Sequence, residues 1–329
     1  MTLSATTASA KKVIGIALET TPGTAVAPTY WLRVSKVSAK DETTPLTDET
    51  FQGDRAAVHQ IVPGTIHSKV SITMPVALDT AGFAFAGILG HYLYNAGTPN
   101  VHNFVLDPNN PKTYTITDYS GPVTKVYAGC TFESVKIMGS SDKLVEFEVS
   151  LFGQASNTVS TPSPSWTTEL PLPTWASIVK VGANSGSAVD ATADNWEIEI
   201  KADVAPGFTA SGTRNATYNK IGTVDASFKF TGICSTPGLS EVSAFAAGTS
   251  RYFSVQLVPA AGGSEGALIE ILSGTYKDGN IDGGSLKDIV KYELDGITAS
   301  VPSTLTSLTG YSTPVQVTLN NAVPSGIYA

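Results

Sequence analysis

Two segments of the chain share the same alternation of apolar and polar residues. Segments 64–73 and 222–231 both begin with Gly-Thr, and apolar side chains then occupy most of the alternate positions. The matching apolar pairs, at a constant offset of 158 residues, are Ile66 with Val224, Val70 with Phe228, and Ile72 with Phe230. Such alternation predicts strands with one buried face. A short apolar segment ending in glycine follows each strand, at Gly90 and Gly248, so the pattern predicts an internal repeat.

The same pattern predicts short strands and one helix in each half of the chain. Alternating or apolar runs bounded by turn residues predict strands at 13–18, 30–37, 64–76, 104–106, 114–119, 130–137, 144–151, 196–200, 222–230, 251–258, 267–276 and 288–294. A helix is predicted over about 80–91, where Asp79 and Thr80 are candidates for the N-cap. A second helix is predicted over about 237–247, with Thr236 as its N-cap.

The last predicted hairpin repeats an earlier one at a shorter offset. Val290, Tyr292 and Leu294 match Val145, Phe147 and Val149, which lie 145 residues earlier. Because this offset is smaller than 158, the connection after the first helix must be the longer of the two. We therefore predict a mainly β protein with two tandem barrel or sandwich units, each with one short α-helix. Trp31 and Trp196 are expected to be core residues of corresponding strands.

The repeat also divides the chain into segments. We predict a flexible N-terminal arm at 1–12, a first β unit at 13–155, a Ser/Thr/Pro-rich linker at 156–173, a second β unit at 174–300 and a C-terminal extension at 301–329. Two polar stretches without periodicity, 40–63 and 205–221, lie at corresponding places and are predicted to be long loops. A chain of 329 residues can bury two cores without disulfides or metals.

The charge of the chain argues against a nucleic-acid-binding protein. The sequence has 20 basic and 28 acidic side chains, a formal charge of −8 at pH 7, of which −2 falls in residues 1–165 and −6 in residues 166–329. Binding to phosphates requires clustered Lys or Arg. The N-terminus lacks the charged and apolar regions of a secretory signal, and the longest apolar run, 81–89, is about half of a membrane span. We expect a soluble protein that is made in the cytoplasm and has no membrane partner.

The sequence predicts no catalytic, cofactor or metal site. The four histidines lack the helical spacing of a zinc protease, and no nucleophile elbow, P-loop or dinucleotide motif occurs. Segment 278–283 matches the first half of a calcium loop, but the position that requires a bidentate Glu is Ile289, so a hairpin turn is predicted instead. Cys130 and Cys234 are expected to be buried thiols and not a disulfide.

Several short motifs occur in a characteristic order along the first unit. The N-terminal stretch contains Glu19, Thr21, Gly23, Thr24, Pro28 and Thr29. Later motifs are Leu89–Gly90 at the end of the predicted helix, His102–Asn103–Phe104 before a strand, and Gly129–Cys130 before the long hairpin. In this order and spacing the chain resembles the major tail tube proteins of bacteriophages with long non-contractile tails. The resemblance covers most of 13–155 and, more loosely, 174–300.

The resemblance implies a structural virion protein with no enzymatic activity and no cofactor. Rings of such a protein stack into the tail tube, the conduit for genome ejection, so the expected location is the virion tail, with the host cytoplasm during assembly. The implied partners are further copies of the chain, the tape measure protein, the tail-terminator and tail-tip proteins, and genomic DNA that passes through the lumen without specific binding. The alternative is a β-rich adhesin or carbohydrate-binding module of a virion or cell surface.

Two expectations concern assembly. The long loops are expected to stack rings, or to contact a neighbouring subunit, through Asp48, Phe51, Arg55, His59, Phe208, Arg214 and Tyr218. The resemblance implies six-fold tubes, and one chain supplies two tube-type units. Three chains would then complete a ring, which gives a trimer with pseudo-six-fold symmetry. The alternative is a hexamer in which one unit lines the tube and the other decorates it.

Overall fold

The chain folds mainly as antiparallel β-structure, as the sequence predicts. The computed structural model describes residues 12–50, 56–107, 109, 111–120, 123–159, 162–166, 168–233, 236–282, 290–299 and 311–328. The elements up to residue 159 are β1 (Val13–Leu18), β2 (Tyr30–Leu32), β3 (Lys36–Thr43), β4 (Leu46–Asp48), β5 (Gln60–Val62), β6 (Ile66–Pro75), α1 (Leu78–Leu89), β7 (Gly90–Asn95), β8 (Asn100–Leu106), β9 (Tyr114–Tyr119), β10 (Thr124–Ser140), β11 (Glu146–Gly153) and β12 (Asn157–Val159).

The later elements resemble the earlier ones in length and order. They are β13 (Ile178–Gly182), β14 (Val189–Asp190), β15 (Ala193–Gly207), β16 (Tyr218–Ile233), α2 (Thr236–Ala247), β17 (Arg251–Leu257), β18 (Gly266–Asp282), β19 (Lys291–Thr298) and β20 (Gln316–Asn321). Short 3₁₀ helices lie at Thr174–Ala176 and Ser185–Ser187. Both α-helices follow the strand that the sequence pattern singles out, β6 and β16.

The same order of strand pairing occurs twice. The N-terminal set pairs as β2-β1-β9-β10-β11-β6-β3, and every pair is antiparallel. The C-terminal set pairs as β14-β13-β17-β18-β19-β16-β15, again antiparallel throughout. The division of the chain into two separate units stays a prediction, and this pairing order supports it.

The strand registers agree with both offsets read from the sequence. Val149 of β11 lies opposite Ile72 of β6, and Leu294 of β19 lies opposite Phe230 of β16. These two pairs are related by offsets of 145 and 158. A β-bulge interrupts the β10–β11 pairing between Phe132 and Ser134, and a bulge interrupts β18–β19 at the corresponding place, between Tyr276 and Asp278. A bulge shifts the pairing by one residue, so its recurrence fixes the equivalence of the two hairpins.

The prediction named a barrel or a sandwich, and of these two the closed barrel is wrong for the described strands. Their pairings run through all the strands except the separate β4–β5 hairpin, and they never return to a strand already passed, so no circuit is closed. Instead, the long strands β10 and β18 each pair with one group of strands along their first half and another along their second half. The apolar faces of both groups contribute to one core, which includes Ile16, Ile72 and Phe147.

Helix α1 is buried on every side. All twelve of its residues are buried, because β10, β8 and β20 pack around it. The helix begins at Leu78, two residues before the predicted start, so Asp79 and Thr80 lie in its first turn and do not cap it. Gly90 ends the helix with φ of 85°, a backbone conformation that favours glycine. Gly87 lacks the Cβ that would collide with the ring of Phe132.

Helix α2 is held to its sheet by a buried ion pair. It begins at Thr236, one residue before the predicted start. The Glu241 side chain, only 2% exposed, accepts hydrogen bonds from Nε of Arg251 (2.8 Å) and from the hydroxyl of Tyr276 (2.7 Å). Arg251 belongs to β17 and Tyr276 to β18, so one carboxylate joins the helix to both strands.

The described part of the C-terminal segment, residues 311–328, packs against the rest of the fold. Strand β20 pairs with β18 on one side and with β8 on the other. The Tyr328 side chain is fully buried, and its hydroxyl donates to the carbonyl oxygen of Asp79 at 2.7 Å. Within the predicted linker, Leu172 is also buried, and its backbone N–H donates to the carbonyl oxygen of Val76. Both segments therefore cover the start of α1.

Several loop and turn predictions are corrected by the strand pairing. The predicted loop 40–63 contains the second half of β3 and the strands of the β4–β5 hairpin, and the predicted strand 30–37 is split between β2 and β3. In 205–221 only residues 208–217 lie outside a strand. Residues 278–282 continue β18, so the turn predicted at 278–283 is wrong over these residues, while Gly283 lies outside the described part. These strands could not be recognised from the sequence pattern, because one face of each is exposed and carries polar side chains.

The expected correspondence between the two tryptophan strands is also wrong. Trp31 and Trp196 are both buried, at 7% and 3% exposed. However, Trp31 lies in β2, which pairs with β1, whereas Trp196 lies in β15, which pairs with β16 opposite Phe230. The residue that takes the corresponding place in the N-terminal set is Val37, which lies opposite Ile72. Trp31 and Trp196 share the residue type and are both buried, but they lie in strands that do not correspond.

We expect the folded chain to lose stability as the pH rises from 5 to 8. Burial and the negative charges of Asp79 and Glu265 raise the pKa of Glu169 to about 7, and its carboxylate accepts the backbone N–H of Asp79 at 2.7 Å. A carboxyl whose pKa is raised by folding stabilises fully below its unfolded pKa, and this contribution disappears as the pH passes its folded pKa. Thermal unfolding of the wild type and Glu169→Gln tests this, because the variant should lack that part of the pH dependence.

Candidate assembly interface

Eight strands from both sets form one continuous sheet with a polar face. Their order is β3-β6-β11-β10-β15-β16-β19-β18, in which the pairing of β10 with β15 joins the N-terminal set to the C-terminal set. In this sheet, which we call the eight-stranded sheet, alternate residues such as Ile72, Val149 and Phe230 point into the core. The other residues of each strand form the opposite face, because side chains alternate across a strand.

The polar face carries nearly balanced charges. Its carboxylates include Glu42, Glu133, Glu146, Glu148, Glu197, Glu199, Asp225, Asp278, Glu293 and Asp295, and its lysines include Lys36, Lys40, Lys69, Lys136, Lys201, Lys229, Lys277 and Lys291. Several of these lysines bind carboxylates directly, as Lys136 does with Glu197 at 2.9 Å and Lys201 with Glu199 at 3.0 Å. The face therefore has a small acidic excess and many lysines that are already paired.

The β10–β15 junction is a well-packed pairing between the two sets. Ile137 lies opposite Ile198, and both side chains are buried, at 2% and 0% exposed. Gly139 lies opposite Trp196, whose ring occupies the space that a Cβ on residue 139 would need. Each buried apolar side chain stabilises such a junction by about 1.5–3 kcal/mol. The junction shows how the C-terminal set docks on the N-terminal set.

Both ends of the eight-stranded sheet are open edges. Among the described strands, β3 pairs only with β6, and residues 276–282 of β18 pair only with β19. At these edges Ala39 is partly exposed, and Ile281 is 45% exposed. Unpaired strand edges that carry apolar residues favour pairing with another chain.

The two open edges correspond to the two strands of the junction. The registers place β18 in the position of β10, with Ile281 for Ile137, since these residues lie opposite Tyr292 and Phe147 respectively. They also place β3 in the position of β15. Ala39 lies opposite Val70 and Ile198 lies opposite Phe228, and because Val70 and Phe228 are equivalent, Ala39 takes the place of Ile198. The β18 edge is therefore equivalent to β10, one strand of the junction, and the β3 edge is equivalent to β15, the other strand.

Two arms extend from the eight-stranded sheet and contain those predicted stacking residues that the structure describes. The first arm is the β4–β5 hairpin, in which Asp48 lies opposite Gln60 and the backbone N–H of His59 donates to the carbonyl oxygen of Asp48. The second arm is the distal part of β15 and β16 with the loop 208–217, and Tyr218, 55% exposed, is the first residue of β16. Phe51 and Arg55 lie outside the described residues, and the stacking role of all these residues stays a prediction.

The second arm contacts the N-terminal set of its own chain. Arg214 donates from Nε to the carbonyl oxygen of Gly64 at 2.6 Å, and Phe208 packs edge-on against His67 with ring centroids 6.4 Å apart. Asn219 donates from its side-chain amide to the carbonyl oxygen of Gly129 and to the hydroxyl of Thr131, both at 2.8 Å. Sequence reasoning did not identify Asn219, because a single polar residue in a predicted loop gives no signal of its own.

The motif residues of the N-terminal stretch stabilise the fold. Glu19 is buried, and its carboxylate accepts the backbone N–H groups of Gly23 (2.8 Å) and Gly129 (2.7 Å) and the hydroxyl of Thr115 (2.8 Å). A buried carboxylate needs this number of donors. His102 is also buried, with Nδ1 at 3.0 Å from the hydroxyl of Tyr92, and burial lowers its pKa. These motifs are therefore structural.

The described residues contain no feature that indicates a reactive site. Within them, no group of three or more His, Cys, Asp or Glu side chains could hold a metal ion. Cys130 is a free, fully buried thiol, as expected, and burial raises its pKa, while Cys234 lies outside the described part. None of the helices in the described part has the length and apolar content needed to cross a membrane.

Comparison with known proteins identifies the family. A family model described as phage tail tube protein matches residues 9–307, so this chain belongs to the phage tail tube protein family. Among solved structures it is similar to a chain in the tail of an empty GTA particle, computed with helical refinement and C6 symmetry, at 16% identity and a TM-score of 0.29. That match covers 38% of this chain and 91% of the other. No curated protein matches the sequence.

The family membership establishes the role of the chain. It is a structural protein of the virion tail that associates with further copies to form the tail tube, which confirms the function implied by the sequence resemblance. Nothing in the comparisons supports the alternative of an adhesin or carbohydrate-binding module. The open edges of the eight-stranded sheet are then the first candidates for the contacts between copies.

Proposed function

We propose that three copies of this chain form each ring of the tail tube, through pairing of β18 of one chain with β3 of the next. The observation that carries this proposal is the equivalence of the two open edges to the two strands of the β10–β15 junction. A junction between chains can then reproduce the junction within the chain. Each chain contributes two equivalent sets, so three chains complete a ring with pseudo-six-fold symmetry.

The junction within the chain predicts the register between chains. Ser134 lies opposite Lys201 and Ile137 opposite Ile198 in the β10–β15 pairing. Transferred to the open edges, this register sets Asp278 opposite Glu42 and Ile281 opposite Ala39. Lys40 then lies diagonal to Asp278, within reach of its carboxylate, and already binds Glu42 at 2.7 Å. Pairing of Ile281 with Ala39 buries apolar surface, and the positive charge of Lys40 offsets the repulsion between the carboxylates of Asp278 and Glu42.

A ring of this kind encloses a channel lined by the polar face. Eight strands from each of three chains make a closed sheet of 24 strands. Barrels of roughly 16–18 strands already leave an aqueous channel. The helices and remaining strands cover the apolar face, and their bulk fits only outside such a ring. DNA in the lumen would meet a slight acidic excess and paired lysines, which favours passage without binding.

The remaining partners follow from the same role. We propose that the ends of the tube contact the tail-terminator and tail-tip proteins, that the tape measure protein occupies the lumen before the genome does, and that no membrane partner is involved. The chain assembles in the host cytoplasm. We also propose that it has no enzymatic activity, since the family is structural and no described group of side chains has the arrangement of a nucleophile and its base.

Cysteine crosslinking at the edges tests the number of chains in a ring. The double variant Ala39→Cys/Ile281→Cys, made in a Cys234→Ser background, should form inter-chain crosslinks in assembled tubes, because opposed residues in a strand pair bring their Cβ atoms to about 4.5–5.5 Å. We expect denaturing gels to show dimers and trimers and no larger species, because the third crosslink closes the ring. The Ala39→Cys single variant is the control, which should remain monomeric. Ladders up to a hexamer, or no crosslinks in well-formed tubes, would contradict the proposal.

A further inference from the structure

Helices α1 and α2 occupy equivalent places in the two strand sets. Leu78–Leu89 and Thr236–Ala247 are related by the same offset of 158 residues that relates β6 to β16. A glycine with positive φ follows each helix, Gly90 with 85° and Gly248 with 63°. The surroundings of the two helices can therefore be compared position by position.

The last turns of the two helices differ in how far they are covered. Ile88 and Leu89 of α1 are 5% and 0% exposed. The residues at the same places in α2, Ala246 and Ala247, are both exposed. Helix α2 contacts mainly its own strands β18 and β19, whereas α1 also contacts β15 and β20 of the other strand set. The difference in exposure thus reflects what the neighbouring set supplies.

The cover of α1 has two sources. Phe85 packs against Phe104 of the β7–β8 hairpin, with ring centroids 6.0 Å apart. Only three residues separate α2 from β17, so the C-terminal set has no counterpart of this hairpin. The second source is β15, because Ile88 lines one wall of an apolar groove whose opposite wall contains Ala202 and Val204. This second source belongs to the junction between the two sets.

The surface equivalent to that wall of β15 lies on the N-terminal set and is exposed. Because Ala39 takes the place of Ile198, Thr43 takes the place of Ala202, four residues further along each strand. The pairing then shifts by one residue in both sets, so Pro45 takes the place of Val204.

Both counterparts of the groove are therefore uncovered in the single chain. Ala202 and Val204 are 8% and 7% exposed, whereas Thr43 and Pro45 are both exposed. On the other side, Ala246 is exposed where Ile88 is buried. Two surfaces that correspond to the two walls of one groove thus lie at opposite ends of the eight-stranded sheet, α2 beside the β18 edge and Thr43 in the β3 edge.

We propose that the last turn of α2 packs against Thr43 and Pro45 of the neighbouring chain in the same ring. This inference rests on the ring proposed above, because pairing of β18 with β3 sets α2 beside the next chain as the β10–β15 pairing sets α1 beside β15. The partner of this surface is a second copy of the chain. The contact lies on the apolar side of the closed sheet, away from the lumen, and adds a second layer to each junction between chains.

Two adjacent threonines provide a matched pair of variants. Thr43 takes the place of the buried Ala202, whereas Thr44 takes the place of Asp203, which is exposed. We expect Thr43→Asp to raise the protein concentration required for ring formation about tenfold or more, because a carboxylate then loses water against α2 at every junction. Thr44→Asp should change it less than about twofold, since a carboxylate is already accepted at this place in the junction within the chain. Both threonines are exposed in the single chain, so folding should be retained.

A chemical crosslink separates this inference from the ring itself. Assembled tubes of Thr43→Cys/Ala246→Cys, in the Cys234→Ser background, are treated with a short bismaleimide, and the Thr43→Cys single variant is the control. We expect inter-chain dimers and trimers only, as for Ala39→Cys/Ile281→Cys, and a monomeric control.

The outcomes distinguish the contact of α2 from the ring. If the edge cysteines crosslink but the cysteines at 43 and 246 do not, or if Thr43→Asp and Thr44→Asp assemble equally well, the contact of α2 is overturned and the ring stands. If neither pair crosslinks in well-formed tubes, the proposed ring itself has failed.

Discussion

Replacement of Ile281 by Asp is expected to abolish tube formation and leave a folded chain. In the proposed ring Ile281 is buried against Ala39 of the next chain, whereas in the single chain it is 45% exposed at the end of β18. The variant loses an apolar contact of about 1.5–3 kcal/mol and places a carboxylate beside an apolar surface, which costs several kcal/mol more. These losses recur at each of the three junctions, so rings should not form at concentrations at which the wild type assembles.

Assembly and folding of this variant can be measured separately. Sedimentation and negative-stain microscopy report tubes, and thermal unfolding of the unassembled chain reports the fold. The midpoint of unfolding should change by less than about 3 °C, since substitutions of exposed residues rarely cost much stability. Ile281→Val is the matched control and should assemble as the wild type does. Normal tubes formed by Ile281→Asp would show that this edge is not a junction between chains.

Replacement of Arg251 by Met is expected to destabilise the folded chain by about 3–5 kcal/mol, because it leaves the buried Glu241 carboxylate without its cation. Glu241 is 2% exposed and Arg251 is 14% exposed, so solvent cannot replace the lost partner effectively. The helix α2 would lose its main polar attachment to β17. Chemical denaturation of the unassembled chain measures this change as a lower free energy of unfolding.

A double variant separates the charge effect from a packing effect. Glu241→Gln/Arg251→Met removes both charges but keeps a side-chain oxygen that accepts the hydroxyl of Tyr276, as Glu241 does at 2.7 Å. We expect it to recover about half of the lost free energy, because no unpaired charge remains in the interior. If the double variant is as unstable as Arg251→Met, the loss comes from packing and the buried charge is not its cause.

The sequence pattern predicted the parts of the fold that have one strongly apolar face. Strands β6, β9, β11 and β16 and the start of α2 lie close to their predicted places, because alternation and turn residues there agree with burial. The predicted range of helix α1 began two residues later than the helix does in the structure. Its first turn is buried beside Glu169, so tertiary contacts replace the side-chain cap that Asp79 and Thr80 suggested.

The candidate interface could be predicted only in part. In residues 36–43 the partly buried positions are Val37, Ala39, Asp41 and Glu42, so only two of them are apolar, and this concealed an edge strand within a polar stretch. The C-terminal strand β20 was missed because it pairs with β8, more than 200 residues earlier, and no local pattern encodes that pairing. The 158-residue repeat was the one long-range signal in the sequence. It carries the assembly proposal, because it allows the junction within the chain to be transferred to the edges.

The count of chains in a cross-section of the tube tests the central claim most directly. Cryo-electron microscopy of assembled tubes, reconstructed without an imposed six-fold axis, would resolve each ring into its chains. The proposal predicts three chains per ring, alternating N-terminal and C-terminal sets around a closed sheet, with β18 of each chain paired to β3 of the next. Six chains per ring, or a ring in which these two edges are not paired with each other, would contradict it.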